Sequence, residues 1–262
     1  MTAAVDTVDT GFSTESGSKR AERVRLFAQP VVVLVIVAVT LVWVFSSGLN
    51  ATEKETLNAS SLFTALRDHL LMTLVVTAIV VLVAVPLGVI VTRPWARFLA
   101  PVFLAIANIG QAAPALGVLV LWFIVTGATG GIWVAALPLA FYSLLPVLRN
   151  TMVGIQQVDP ALIDAGRGIG MSAPAVLWRV ELPLAVPLIL AGLRTSLVLA
   201  VGTATFGMFV NAGGFGLLID TGYKLNLTSV LVTGSVLAVA LALLVDWLGA
   251  VAEQFFGPKG LR

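Results

Sequence analysis

From Leu70 to Thr92 the chain carries no ionisable side chain, and several comparable runs follow it. A bilayer core about 30 Å thick takes about 20 helical residues at 1.5 Å each, so this run fits one crossing. Further apolar runs cover Pro30 to Phe45, Phe98 to Val125, Ile132 to Leu148, Leu184 to Val210 around Arg194, and Thr228 to Val251 around Asp246. Six spans are therefore expected. The run from Phe98 to Val125 exceeds one straight crossing, and Pro101 and Pro114 are candidates for a kink. The runs are continuously apolar, whereas barrel strands alternate over about ten residues, so helices are expected. Composition agrees: only 11% of residues are charged, against about a quarter in soluble domains, so lipid must cover much of the surface. The fold class expected is all-α, a polytopic membrane protein. The absence of cysteine excludes disulfides and thiolate chemistry.

Positive residues flanking spans are retained on the cytoplasmic side. With the N-terminus inside, the inner face collects eleven cations: Lys19, Arg20, Arg23, Arg25, Arg93, Arg97, Arg149, Arg167, Arg179, Lys259 and Arg262. Only Lys54, Arg67 and Lys224 fall outside, and both termini are predicted to be cytoplasmic. Residues 1–27, polar and rich in Thr and Ser, are expected to form a disordered tail before a membrane domain over 28–252, with 253–262 a second tail. The first span also invites a signal-peptide reading, with Ser46 and Gly48 near a cleavage point, but the polar extension before it suits a tail better than a compact basic leader.

The longest inner loop, 149–183, exceeds what a connector needs. Asp159 and Pro160 read as the cap and first residue of a short helix through Ala165, with Gly166, Gly168 and Gly170 ending it. Pro174 then opens a second helical stretch. No G-x-x-x-x-G-K-[ST] phosphate loop occurs, so ATP is not bound by that route.

The loop resembles the cytoplasmic signature of permeases from binding-protein-dependent ABC importers: E-A-A, a glycine six residues after the Glu, and a terminal I-x-L-P. Asp164, Ala165 and Gly166 occupy the E-A-A positions, Gly170 the glycine, and Val180, Leu182 and Pro183 the final element. The departures are Asp for Glu, Gly for the second Ala, and Val for Ile. The resemblance implies a type I importer permease in which these residues form a coupling helix seated on a separate ATPase. That partner would hold the ATP and Mg²⁺, and this chain would hold no cofactor of its own. It further implies a second permease copy or paralogue and an extracytoplasmic binding protein, with no nucleic acid among the partners.

From about Leu66 onward the chain looks most similar to glycine betaine, choline and related osmoprotectant permeases. Leu87, Gly88 and Arg93 in PLGVIVTR, QAAPAL at 111–116, AGLRTS at 191–196, NAGGFG at 211–216 and GPKGL at 257–261 carry that likeness. In such systems the binding protein selects the solute, by aromatic cages around quaternary ammonium groups. Other small solutes, such as amino acids, remain an alternative.

Polar groups inside spans are candidate translocation-path residues, because facing lipid costs free energy: Asn108, Gln111 and Tyr142. Interhelical hydrogen bonding is the alternative for the first two, and packing for Tyr142. Arg194 and Asp246 are expected to snorkel or to pair, and together with the proline-broken helices they motivate the rival reading of an ion-coupled carrier. His69, beside Arg67 and Asp68, is expected to lie at the surface. Gly192, Ala200, Gly202 and Gly207 favour close helix contact and are candidates for a dimer interface.

Overall fold

A computed structural model describes residues 12–256. Helices α1 (Phe12–Ser46), α3 (Ala59–Thr92), α6 (Ile132–Gln156), α9 (Leu182–Ala204) and α11 (Thr228–Phe256) are the long apolar elements. Shorter ones connect them: α2 (Ala51–Thr56), α4 (Ala100–Ala112), α5 (Ala115–Thr126), α7 (Pro160–Gly168), α8 (Ala173–Val176) and α10 (Phe215–Lys224). No strand occurs among the described residues. Five helices, or six counting the bent pair α4 and α5, are long and apolar enough to cross a membrane.

The expected spans are thus present, with three differences. The run from Phe98 to Val125 is broken rather than kinked: α4 and α5 meet at 99°. Pro114 stands at that break as the N-cap of α5, and Ala113 before it is extended, as a residue preceding proline prefers. Pro101 lies in the first turn of α4, where a missing N–H costs nothing, and bends nothing. Helix α3, with 34 residues, extends further than the Leu70 to Thr92 run and is about 50 Å long. Asn58 caps its polar start by accepting from the Ser61 N–H at 2.8 Å. Finally, α1 begins at Phe12, so helix stands where residues 12–27 were expected to be irregular. The stretch Lys19 to Phe27 is rich in strong helix formers such as Lys, Arg, Ala and Glu. Residues 1–11 and 257–262, with the rest of both expected tails and the GPKGL segment, lie outside the described residues.

Helix α6 is the axis of the bundle, with α3, α4, α5 and α9 packed around it. Its Leu139, Val147 and Leu148 join Met72, Val76 and Val80 of α3 in a fully buried core. Close approach to α9 depends on Gly192, where a Cβ would lie 2.7 Å from the Pro146 carbonyl oxygen and 2.8 Å from the Asn150 Cβ. Gly192, Ala200 and Gly207 are therefore spent on contacts within the chain, Gly207 against Met72, rather than on a dimer face; of the four small residues, only Gly202 faces open space. A second core, containing Val44, Leu57, Val201, Phe215, Leu218 and Val230, closes the opposite end. Helix α1 lies against α11, and most of its outer surface, including Leu34, Val39, Val42 and Phe45, is exposed, as suits a lipid-facing helix. Exposed Trp95 and Trp178 at one end and Trp133 towards the other match the aromatic belts of membrane proteins.

His69 corrects the surface expectation: it is fully buried. Its Nδ1 accepts the Phe215 N–H at 3.2 Å, so Nε2 carries the proton and donates to the Val201 carbonyl at 3.0 Å. The NAGGFG segment makes this contact, since Gly214 holds φ +86° and turns the backbone onto the ring. Extension of α3 beyond its apolar run brings His69 into a helix interface, where both ring nitrogens find partners.

Candidate coupling hairpin and translocation-path residues

The segment between α6 and α9 forms the two short helical stretches read from sequence, the first of them longer than expected. The Asp159 carboxylate accepts the Ala161 N–H at 2.8 Å, and Pro160 opens α7. The helix continues through Gly166 and Gly168 rather than ending among them. Gly170 ends it, with φ +90°. The Gly170 N–H bonds to the Arg167 carbonyl at 2.9 Å and the Met171 N–H to the Gly166 carbonyl at 3.1 Å, the paired bonds of a Schellman reversal. A side chain at Gly170 would carry the strain of left-handed backbone. Ser172 precedes α8, which has Pro174 in its first turn.

The reversal turns α7 back onto α8 and the turn Leu177–Glu181. Asp164 and Ala165 are exposed, and Asp164 lies 3.9 Å from Arg167 across a loose, solvated pair that contributes little. Gly166 is buried beneath them. Val180 and Leu182 are half-buried, whereas Pro183 is exposed. The signature positions therefore divide: Asp164 and Ala165 present a small acidic surface, and Gly166, Gly170, Val180 and Leu182 shape the support behind it.

One residue of this region escaped the sequence reading. Glu181, the unspecified position of I-x-L-P, is 5% exposed and accepts both Arg93 Nη groups, Nη1 to Oε1 at 3.2 Å and Nη2 to Oε2 at 2.5 Å. Arg93 was legible as a loop cation. Its partner is 88 residues away, and no local pattern links the two.

Arg194 and Asp246 do pair, as expected. The Arg194 Nε donates to Asp246 Oδ1 at 2.6 Å and Nη2 to Oδ2 at 2.8 Å, with Glu253 at 3.4 Å from Nη1. Gln29 of α1 donates to the same Asp246 carboxylate at 3.1 Å and to the Leu243 carbonyl at 2.9 Å. The cluster joins α1, α9 and α11.

The three path candidates lie on two adjacent helices. Asn108 is exposed and donates to the Leu104 carbonyl of its own helix at 2.7 Å. Gln111, half-buried, follows three residues later, so the two share a side of α4 next to the break at Pro114. Ala107 and Gly110 face inwards, Gly110 so closely that a Cβ would lie 2.7 Å from the Phe141 ring. Tyr142, beside that phenylalanine on α6, is half-buried.

Comparison with known proteins places this architecture. Residues 84–256 match the family of binding-protein-dependent transport system inner membrane components. A choline transport system permease protein of Bacillus subtilis strain 168, OpuBB, is 38% identical over 205 residues, covering 78% of this chain and 93% of that protein. The osmoprotectant import permease protein OsmW of Salmonella typhimurium strain LT2 is 33% identical over 208 residues, covering 78% and 96%. Among solved structures, a chain of the MetNI methionine ABC transporter in an inward-facing conformation superimposes with a TM-score of 0.65 at 26% identity, over 75% of this chain and 96% of that one. The chain, with five or six apolar helices long enough to cross a membrane, thus belongs to the family of binding-protein-dependent transport system inner membrane components.

Proposed function

We propose that this permease imports choline, glycine betaine, carnitine or a chemically similar osmoprotectant, delivered by an extracytoplasmic binding protein and driven by a separate ATPase that holds ATP and Mg²⁺. The names of the relatives support the solute class: choline for one, glycine betaine, carnitine and choline for another 38% identical, and osmoprotectants for a third. These small molecules share a trimethylammonium group, so one aromatic cage on the binding protein would serve them all.

The observation that carries the coupling role is the exposed Asp164–Ala165 surface on α7, backed by the Gly170 reversal. Small side chains admit another protein closely, and Asp164, held only loosely by Arg167, is available to a basic group on the ATPase. On this reading α7 and both termini are cytoplasmic. Two permease copies, or one and a paralogue, enclose a path lined in part by Asn108, Gln111 and Tyr142. Of the two features that motivate the rival ion-coupled carrier, the charged pair is accounted for, because Arg194 and Asp246 are bound to each other and to α1; the proline break between α4 and α5 is common to both readings.

The test is reconstitution of the permease with its ATPase and binding protein. Asp164→Arg is expected to abolish solute-stimulated ATP hydrolysis while the permease still inserts; unchanged stimulation refutes the coupling role. The likeness to a methionine transporter supplies a second reading, an amino acid. Titrating the co-purified binding protein with choline, glycine betaine, carnitine and methionine separates the two.

A further inference from the structure

The turn that receives α7 has an unusual helical register. The Leu182 N–H reaches back five residues to the Leu177 carbonyl, so residues 177–181 form a single π turn. Pro183 follows without an N–H to donate, which favours a change of register at this point. The Leu-Pro pair of the motif thus has a local consequence: it opens the helix by one residue just where Glu181 meets Arg93.

That meeting is closely constrained. Both carboxylate oxygens of Glu181 are engaged by the guanidinium, in the two-pronged geometry that suits arginine. Arg93 is itself held, with Nε donating to the Val89 carbonyl at 3.2 Å and Nη2 to Thr92 Oγ1 at 3.3 Å. It also sits as the C-cap of α3, where a positive charge complements the helix carbonyls. The pair therefore fastens the π turn to the end of α3.

A force on α7 passes first to α8 and the π turn, which are the elements it packs against. The backbone then leads into α9. Helix α9 packs directly on α3, largely through apolar side chains, and both pack on α6; at the hairpin end the Arg93–Glu181 contact adds an ionic link from the π turn to α3. Apolar contacts can slide by an ångström at little cost. A buried bidentate pair cannot, because separation leaves Glu181 desolvated without its counter-charge.

We infer that the Arg93–Glu181 pair is a positioning contact that transmits movement of the hairpin to α3 as well as α9, so that the two helices move as one against α6. This rests on the coupling role proposed for α7. Both residues act through the placement of the π turn.

The test uses the full permease reconstituted in lipid vesicles with its ATPase and binding protein, and reads solute moved per ATP hydrolysed. Glu181→Gln and Arg93→Gln are each expected to lower that ratio by roughly tenfold, the scale at which coupling contacts act. The double variant Arg93→Gln/Glu181→Gln leaves no unpaired charge, so it guards against misfolding of the single variants, and it is expected to lose no more than either single change. Losses that multiply in the double variant overturn the inference. So does a structural effect alone, in which uptake and hydrolysis fall together with the inserted amount and the ratio stays at the wild-type value. If Asp164→Arg lowers the ratio while the Glu181 and Arg93 variants do not, this inference alone fails; if Asp164→Arg also leaves the ratio unchanged, the coupling role of α7 fails with it.

Discussion

Gly166 stands where the signature of related permeases has alanine, and the structure leaves room for the missing methyl group. A Cβ built there meets Val176 Cγ2 at 3.5 Å, Met171 Sδ at 3.6 Å and Val180 Cγ2 at 3.8 Å, all ordinary apolar contacts. The residue lies within α7 with right-handed backbone, and its carbonyl still accepts the Met171 N–H after substitution. Replacing a helix-interior glycine by alanine is worth about 1 kcal/mol in propensity. Burying the added methyl contributes about 0.8 kcal/mol more. Gly166→Ala should therefore stabilise the hairpin by about 1–2 kcal/mol, which corresponds to a roughly fivefold to thirtyfold smaller open population of α7. Amide hydrogen exchange of the purified permease in lipid nanodiscs reads this locally, because α7 opens as a small unit at the exposed end of the bundle. The amides of 163–169 should gain protection while those of α3 and α6 stay unchanged. Unchanged or faster exchange across α7 would refute the packing argument, since it would mean that the space under Gly166 is already filled or that α7 does not lie on Val176 and Val180.

Two further outcomes follow from the polar contacts. Either Asp246→Asn or Arg194→Met alone should destabilise the permease by about 2–3 kcal/mol, the range for a broken buried pair reduced because both side chains are 24% exposed. The double variant should recover much of that loss, and thermal unfolding in detergent, with exchange of α1 as a local readout, checks both. At the opposite end, the Glu53 carboxyl is held below its ordinary pKa of 4.5, first by the Ser229 hydroxyl and then by the Asn50 backbone N–H, against a smaller opposing effect of burial. A depressed carboxylate stabilises the fold above the unfolded pKa and loses that contribution as pH falls through the folded value. The link between α2 and α11 should hold at neutral pH and loosen below about pH 4.5, and Glu53→Gln should abolish the pH dependence of exchange in α2.

What the chain disclosed in advance depended on the distance over which each signal acts. Spans were legible because about 20 consecutive apolar residues carry their own reason to be helical in lipid. The hairpin was legible because caps and breakers are local: Asp159, Pro160 and Gly170 each act on neighbours within a few residues. The break at Pro114 was anticipated as to place but not as to angle, which the packing of α4 and α5 on α6 sets. Glu181 and His69 were not legible in role. An exposed loop glutamate and a buried one have the same neighbours in sequence, and Arg93 lies 88 residues away. His69 looked like a surface residue because Arg67 and Asp68 stand beside it; the deciding contacts come from 132 and 146 residues further on.

Those two intervals give the His69 bracket a temporal meaning. A chain made and inserted from its N-terminus presents α3 long before Val201 and Phe215 exist. At cellular rates of synthesis the wait is on the order of ten seconds. Throughout it the imidazole has neither of its final partners, so it must stay hydrated or borrow others. Only when α9 and the glycine turn after it arrive can a ring with one proton satisfy a carbonyl and an N–H together. The bracket therefore cannot close before α9 and the glycine turn after it have been made, which ties the start of α3 to segments synthesised well over a hundred residues later.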